Sequence, residues 1–318
     1  MLPVWDLAVR CFHWSLVGAV TVAGVTGFIL GPTWLTYHLW AGALMTALVF
    51  ARTIWGVLGP TYARFSSFIA GPFKIMEHGS EVLSGKAKRH LGHNPLGGAM
   101  IIGLMLSIFA LAITGTFQLG GEFKVGPFSF LTTYFYGDTF GGLHKLIAWG
   151  LLALISLHIL GAVFESMRTR ENLPLTMITG KKERRRGDHI LPQIGAKPAL
   201  ALLLVMGGWL GVGLLGLSMS SKPGIGMPIN IAGSQYGSEC ADCHIAYHPS
   251  LMQGENWALL MANLDNHFGE DASLGSRTKR QLTDWLIANS SAAADTKAAN
   301  VLNDRRITAT NPVNIPLA

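Results

Sequence analysis

The segment Cys240-Ala-Asp-Cys243-His244 carries the most specific chemical motif in this sequence. CxxCH is the attachment sequence of a c-type haem, in which two thioethers fix the porphyrin and the adjacent histidine binds the iron. A disulfide between the two cysteines and a zinc site are the alternatives, but no second pair of zinc ligands is obvious. The motif therefore predicts one covalent haem c on Cys240, Cys243 and His244.

A second axial ligand for that iron could come from four downstream residues: His248, Met252, Met261 or His267. His248 lies only four residues after the first ligand, so reaching the other face of the porphyrin would strain the chain. His267 follows an amphipathic segment, residues 257–264, whose apolar positions suit packing over a porphyrin. We therefore predict that His267 is the second ligand.

Four more histidines lie inside or at the ends of long apolar segments: His13, His38, His144 and His158. An ionisable group at membrane depth is costly, so each is a candidate for a functional role. His144 and His158 are 14 residues apart. On one helix that spacing leaves them about 40° out of phase and about 21 Å apart along the axis. They therefore share a helix face at two depths.

Helices that cross a membrane must position these histidines. Of the 318 residues, 50% are apolar and only 13% are charged, and the mean hydropathy is +0.37, which argues against a soluble globule and against disorder. Five apolar stretches approach the ~20 residues that span hydrocarbon, and they cover residues 7–30, 38–58, 95–118, 141–164 and 199–219. A cleaved signal peptide is the alternative for the first stretch, which is long for that role. The predicted fold is an all-α membrane protein with a four-helix haem-binding bundle, a fifth tether helix and a small, mostly helical C-terminal domain.

The distribution of lysine and arginine predicts the orientation, because basic loops remain cytoplasmic. Fifteen of the 24 basic residues fall on the same side as the N-terminus, including the run KKERRR at 181–186. That run could instead bind nucleic acid, but a solvated loop beside the membrane that touches anionic lipid is favoured. Five crossings then place the residues after 219 in the periplasm of a bacterial inner membrane.

This topology pairs His13 with His158 at the inner level and His38 with His144 at the outer level. Zinc would need four ligands, and thiolates are absent from both levels. Each histidine alone could be a buried hydrogen-bonding residue, but four in matched registers favour two bis-histidine haems. Such irons have no open position, which suits electron transfer. Glycines that would let a macrocycle approach the backbone are Gly24, Gly27, Gly42, Gly103, Gly115, Gly150 and Gly161.

The first part of the chain resembles the bacterial cytochrome b561 family, which includes the b-type subunits of nickel-iron hydrogenases. The resemblance covers about residues 1–170 and rests on RCFHWS at 10–15, VTGFILG at 25–31, ARTIWGVLGPTYARF at 51–65, HNPLGG at 93–98 and the histidines at 144 and 158. It implies a four-helix bundle in which His13, His38, His144 and His158 hold two b haems. It also implies electron transfer between a quinone pool and a partner, with superoxide oxidation in some members.

The run YHPSLMQGENWALLMANLDNHFGEDASL resembles the first half of the dihaem cytochrome c family, and this resemblance covers about residues 238–310. In that family the histidine of the HFG sequence binds iron, which agrees with the choice of His267. The second CxxCH of the family is missing here. One covalent haem is therefore implied, and residues 290–318 receive no predicted role.

These patterns together predict a respiratory electron-transfer protein with three haems, a membrane quinone as substrate and a periplasmic redox protein as partner. The predicted divisions are a b561-like domain at 1–170, a basic cytoplasmic loop at 171–198, the fifth helix at 199–219 and the c-type domain at 220–318. The alternatives are a membrane anchor for an oxidoreductase such as a hydrogenase, a superoxide oxidase, or a haem-based redox sensor. No nucleic-acid partner is expected, and the sequence is compatible with a homo-oligomer.

The sequence also suggests roles or environments for several other residues. Arg10 and Arg52 are candidates for the quinone site, although no motif locates it. Cys11 is expected to be a small buried hydrophobe. Solvent-exposed or capping positions are predicted for the remaining histidines of the cytoplasmic loops, which are His78, His90, His93 and His189.

Overall fold

The structure is a computed structural model that describes residues 1–242 and 244–304; Cys243 and residues 305–318 fall outside the described part. The expected all-α architecture is confirmed. The first seven helices are α1 (Leu7–Phe28), α2 (Leu35–Leu58), α3 (Pro72–Leu83), α4 (Pro95–Glu122), α5 (Tyr134–Thr169), α6 (Leu173–Thr179) and α7 (Pro198–Ser220). They are followed by α8 (Gln235–Cys240), α9 (Gly254–Ala262), α10 (Ser276–Ala288) and α11 (Lys297–Asp304).

Five of these helices are long and apolar enough to cross a membrane, as the sequence predicted. They are α1, α2 with its preceding turn from Pro32, α4, α5 and α7. The apolar stretches located α1, α2 and α7 to within about three residues. α4 and α5 extend further, because each continues past its apolar stretch into more polar residues that still form helical hydrogen bonds.

The chain forms two compact units, and the first comprises Met1–Gly115 with Gly142–Leu215. Its core joins α1, α2, α4 and α5, which together supply the buried residues Ala19, Met45, Val49, Met105, Ile108 and Leu151. The packing of these apolar side chains produces a four-helix bundle. The helix α7 also lies against α2, where Trp209 contacts Phe50 with ring centroids 6.0 Å apart.

The N-terminus of α1 is fixed by local polar contacts. Asp6 caps the helix by accepting the Val9 N–H at 3.1 Å, and it also accepts from the indole N–H of Trp55. The strand β1 (Leu2–Pro3) pairs antiparallel with β2 (Lys181–Lys182). These contacts hold the start of the chain against the end of α2 and against the loop after α6.

The basic run at 181–186 is mostly exposed, as expected of a solvated loop, but Lys182 is buried and Arg185 is partly buried against the protein. A group called here the charged cluster consists of Arg89, Glu171, Lys182 and Asp188. Arg89 binds Asp188 at 2.5 Å and Glu171 at 2.8 Å, and Lys182 lies 3.5 Å from Glu171. The Lys182 side chain is only 4% exposed. Two groups outside the loop that follows α6, Arg89 and Glu171, therefore draw its Asp188 and Lys182 inward.

The described residues of the second unit are 116–141, 216–242 and 244–304. Its core is formed by Tyr236, Trp257, Met261, Leu264, Leu282 and Leu286. Within the same unit, the loop between α4 and α5 contacts the segment that precedes α11. Lys124 binds Asp295 at 2.5 Å, and Asp295 also accepts the backbone N–H of Tyr134 at 2.7 Å.

Three secondary predictions about individual side chains are wrong. His78 on α3 is buried, at 4% exposure, because it packs beside His90. His93 is enclosed between Trp5 and Phe68, with ring centroids 4.5 and 5.1 Å away. Cys11 is exposed, because its side chain lies on the outer surface of α1 rather than in the bundle core. His189 is exposed, as expected.

Candidate haem-binding sites

The bundle brings His38 on α2 and His144 on α5 together. Their ring centroids lie 6.1 Å apart, and the ring planes are inclined by 69°. Two metal–imidazole bonds of about 2 Å on opposite sides of one ion place the ring centroids about 6 Å apart. The spacing of these two rings therefore fits a pair of axial ligands.

The same pair of hydrogen-bonding groups, a backbone carbonyl and a threonine hydroxyl, orients each of these two rings. Nδ1 of His38 lies 3.1 Å from the Ala23 carbonyl oxygen and 3.2 Å from the Thr26 hydroxyl. Nδ1 of His144 lies 3.1 Å from the Leu111 carbonyl oxygen and 3.2 Å from the Thr114 hydroxyl. A carbonyl oxygen can only accept, so Nδ1 carries the proton in both rings. The remaining nitrogen, Nε2, is then the one that has a lone pair for a metal.

The helices that brace these rings approach them closely at glycine. A Cβ atom on Gly27 would lie 3.0 Å from Cε1 of His38, and one on Gly115 would lie 3.1 Å from Cε1 of His144. Open space surrounds the Cβ position of four other glycines named from the sequence: Gly24, Gly42, Gly150 and Gly161. At these four positions no neighbouring side chain fills the space beside the backbone.

His13 on α1 and His158 on α5 are the second pair predicted from the sequence. His158 is close enough to His13 for their charges to interact. The structure of the described residues shows no ring contact between them. Nδ1 of His13 is buried and has no hydrogen-bond partner in that part of the chain. A buried polar atom without a partner is unusual and is consistent with a group that the protein binds.

Cationic and aromatic groups surround the second pair. Burial, together with the positive charges of Arg52 and Lys182, lowers the pKa of His93 to about 3. His93 is therefore neutral at physiological pH, although it lies near His13 and His158. Arg52 is buried at 4% exposure, and its guanidinium lies over the Phe65 ring at 5.3 Å.

In the second unit, His244 and His267 face each other. Their ring centroids are 6.1 Å apart, and the planes are inclined by only 22°. Burial lowers the pKa of His267, and the nearby His244 lowers it further. The neutral imidazole is the form that binds metal ions. This spacing again fits two axial ligands.

The turn that presents His267 is closed by its own backbone. The N–H of His267 donates to the Glu270 carbonyl oxygen at 2.7 Å, and the Glu270 N–H donates back at 3.1 Å. Phe268 and Gly269 both have positive φ values, 55° and 98°. Glycine adopts that conformation without strain, which explains the HFG sequence at this turn.

The other residues considered as a second ligand are engaged elsewhere. His248 uses Nδ1 with Ser250 at 2.8 Å and Nε2 with the Ile229 carbonyl oxygen at 2.8 Å. Met261 is 1% exposed in the core of the second unit, and Met252 packs against that core. The structure therefore favours His267 among the four candidates.

The cysteines of the CxxCH motif are only partly described. Cys240 ends α8 and is partly buried against the core that contains Tyr236. Burial raises the pKa of the Cys240 thiol, and the negative charge of Glu239 adds to this effect. Cys243 lies outside the described residues, so the attachment of haem c to it stays a prediction.

The matches to known proteins divide the chain into two parts. Residues 4–180 match the model of the family described as prokaryotic cytochrome b561, and residues 236–315 match the dihaem cytochrome c family. The probable Ni/Fe-hydrogenase 1 B-type cytochrome subunit of Escherichia coli K12 is 26% identical over an alignment of 216 positions, and the match covers 58% of this chain and 92% of that protein. A probable Ni/Fe-hydrogenase B-type cytochrome subunit of Rhodobacter capsulatus is 27% identical, and the match covers 56% of this chain and 80% of that protein.

A solved structure also matches part of the chain. It is the crystal structure of DHC from Rhodobacter sphaeroides, which is 32% identical. The match covers 28% of this chain and 68% of that chain, with a TM-score of 0.20.

A helical bundle with imidazoles paired at membrane depth defines the class as a membrane b-type cytochrome that transfers electrons. The chain belongs to the prokaryotic cytochrome b561 family, whose model matches more than half of its length. Its C-terminal part is a domain of the dihaem cytochrome c family. Both resemblances predicted from the sequence are confirmed.

Proposed function

We propose that this protein transfers electrons between a membrane quinone pool and a periplasmic redox partner through two b haems and one c haem. The contact between His38 and His144 carries this proposal, because two rings with protonated Nδ1 atoms lie at the spacing of axial ligands. When bound, each haem supplies a one-electron change at its iron. The protein positions these centres and tunes their potentials.

The remaining ligands follow from the other two pairs. His13 and His158 would hold the second b haem, which lies about 21 Å further along α5 by the helical rise. His244 and His267 would bind the iron of the c haem from opposite faces, and Cys240 and Cys243 would form its thioethers. Because both axial positions of each iron are then occupied, the arrangement suits electron transfer rather than binding of oxygen.

The excess of basic residues on one side supports a cytoplasmic N-terminus and a periplasmic C-terminal domain in a bacterial inner membrane. The centre at His38 and His144 would then be the outer b haem. The resemblance to the b561 family supports quinone as the membrane substrate.

An oxidoreductase is the partner that the relatives favour, since two of them are named as subunits of Ni/Fe hydrogenases. In that case the protein is the membrane anchor of a larger complex, and the c-type domain is the docking relay. Isolation of a stable complex after mild detergent extraction would support the anchor. Reduction of the b haems by quinol in the isolated protein would show that the chain also works without that complex.

Haem content provides the direct test of the proposal. A pyridine haemochrome spectrum with a haem-stained gel should give two extractable haems b and one covalent haem c per chain. A spectrum without the b signal would contradict the bundle assignment, and a gel without stain would contradict the covalent haem c.

Single substitutions then test the pairing. His38→Ala or His144→Ala should remove one b centre, and His13→Ala or His158→Ala should remove the other. The matched control is His189→Ala, because His189 is exposed and far along the chain from every proposed ligand. If each of the four substitutions removes both b centres, the pairing has no support.

A further inference from the structure

Arg52 is a buried charge of the bundle that forms no ion pair within the described residues. Its exposure is 4%, and Nη1 has no hydrogen-bond partner within the described chain. Asp6 acts on Arg52 through space, but its oxygens accept from Trp55 and from the Val9 N–H. A buried guanidinium without an ion pair is strongly unfavourable. Such a group therefore indicates an anionic ligand.

The register of Arg52 places it at the level of His158. Arg52 follows His38 on α2 by 14 residues, and His158 follows His144 on α5 by the same 14 residues. Since His38 and His144 face each other, equal spacing on two helices that run in the same direction puts Arg52 and His158 at about the same depth, about 21 Å further along. Arg52 thus lies beside the second haem site and away from the first.

Apart from Asp6, the ionisable groups that act at this level are cationic or neutral. His93 senses the positive charges of Arg52 and Lys182 and is also close to His13 and His158. A haem b carries two propionate carboxylates, and a carboxylate at membrane depth needs a cation or several hydrogen bonds. The Arg52 guanidinium, which forms no ion pair, and a haem propionate, which needs a cation, therefore complement each other. Arginine forms planar contacts with carboxylates through two hydrogen bonds.

We infer that Arg52 binds a propionate carboxylate of the b haem held by His13 and His158, and so fixes the orientation and raises the potential of that haem. This inference rests on the proposed function, because it needs a haem at that level. A neighbouring positive charge favours the reduced iron, which carries one positive charge less than the oxidised iron. Arg52 is a positioning residue that acts on the iron through the porphyrin.

Redox titration of purified, quinone-free protein tests the inference. Arg52→Gln should lower the equilibrium constant for reduction of the b haem at His13 and His158 by about tenfold, which is 59 mV for one electron. The b haem at His38 and His144 and the c haem should be unchanged. Arg52→Lys, which keeps the charge but not the planar fork, should show a smaller shift. Arg186→Gln removes the same charge from an exposed position of the basic loop and should shift nothing.

A chemical double-mutant cycle tests the contact itself. The protein stripped of b haem is reconstituted with haem b or with its dimethyl ester, which lacks the propionate charges. In the unsubstituted protein, the ester should bind the second site at least tenfold more weakly than haem b. In Arg52→Gln that difference should largely disappear, since the partner of the carboxylate is gone.

Each outcome has a distinct meaning. Equal binding of ester and haem b by the unsubstituted protein overturns the inference, and this arm does not depend on whether the variant folds. Unchanged potentials in a fully loaded Arg52→Gln protein also overturn it. A shift that appears only after quinone is added would assign Arg52 to quinone instead. If His13→Ala and His158→Ala leave both b haems in place, the proposed function fails and not merely the role of Arg52.

Discussion

Thr26 and Thr114 place a hydroxyl group beside His38 and His144, and the effect of each hydroxyl can be tested by a single substitution. Thr26 donates to the Val22 carbonyl oxygen at 2.7 Å, and Thr114 donates to the Ala110 carbonyl oxygen at 2.8 Å. With their protons committed, both hydroxyl oxygens are free to accept from the histidine Nδ1–H. Partners of this kind orient a metal-bound imidazole and increase its basicity.

Thr26→Val and Thr114→Val should therefore raise the potential of the same b haem. Each valine keeps the shape of threonine but removes an acceptor, so the imidazole donates less electron density to the iron. We expect the equilibrium constant for reduction to increase by up to about tenfold, 59 mV for one electron, and the two effects to add in the double variant. Redox titration followed at the b-haem absorption band measures this.

Thr21→Val is the matched control, because Thr21 makes the same backbone contact on α1, to the Val17 carbonyl oxygen at 2.8 Å, at an exposed position. A shift of equal size in that variant would attribute the effect to the helix backbone. Opposite shifts for Thr26→Val and Thr114→Val would contradict the shared mechanism.

The sequence predicted contacts along one helix better than contacts between distant segments, because only the former follow from helical periodicity. Periodicity along one helix relates His144 to His158, and the same arithmetic applied to His38 leads to Arg52. The repeated steps VTG at 25–27 and ITG at 113–115 were also visible as a signal for the bracing threonines. The position of His93 between Trp5 and Phe68 could not be predicted from the sequence, because it depends on contacts between distant segments.

At the scale of elements, the charged cluster fixes the basic loop to the ends of the helices. Arg89→Met should destabilise the protein by about 3–5 kcal/mol, because it leaves the buried carboxylates of Glu171 and Asp188 without their main partner. Thermal unfolding in detergent, followed by circular dichroism, measures the loss. Arg186→Met removes an exposed arginine from the same loop and should change the midpoint little. Equal losses in the two variants would refute a specific role for the cluster.

The same cluster predicts a pH dependence. Burial alone would raise the pKa of Asp188, but the hydrogen bonds and charges of Arg89 and Arg185 outweigh burial and hold it below its ordinary value of 3.8. A carboxyl group with a lowered pKa stabilises the fold above its unfolded pKa, and this contribution is lost as the pH falls through the folded pKa. The contribution of Asp188 should therefore be complete at neutral pH and decline only below about pH 3.8.

The ion pair of Lys124 with Asp295 has a comparable role in the second unit. Asp295 also accepts the Tyr134 N–H and a side-chain N–H of Asn300. Asp295→Asn should leave the Lys124 ammonium, at 4% exposure, without a counter-charge and should release the loop between α4 and α5. Hydrogen exchange should increase in residues 123–133 by tenfold or more.

Asp284→Asn provides the control for that experiment, because Asp284 is exposed on α10. Unchanged protection of residues 123–133 in Asp295→Asn would show that other contacts hold the loop. Sequence patterns gave no sign of this ion pair, since its members are 171 residues apart and neither lies in a periodic segment.

For the whole molecule, the proposed orientation makes a prediction about both ends of α7. A periplasmically active reporter, such as alkaline phosphatase, fused after Lys222 should be active, and the same reporter fused after Arg186 should be inactive. The physical reason is the concentration of basic residues in the loop before α7. The opposite pattern of activity would invert the proposed membrane topology and would place the c-type domain on the side where haem c is not attached.

Global features were the most predictable because they depend on properties summed over many residues. Hydropathy over about 20 residues located the five membrane helices, and several short sequence segments indicated the two families. Hydropathy could not show that residues 116–141 would belong to the second compact unit. That grouping depends on individual side chains such as Lys124, which do not change an average.

The bracing of His38 and His144 has a consequence for how the protein matures. His38 on α2 is braced by α1, and His144 on α5 is braced by α4, so each ligand comes with its own helical hairpin. The first hairpin leaves the ribosome about a hundred residues before the second, and neither alone offers both ligands of one haem. Stable capture of the metalloporphyrin must therefore wait for the later hairpin to insert. The bound metalloporphyrin then links the early and late parts of the chain. We therefore expect quality-control proteases to degrade the newly made protein first when haem is lacking.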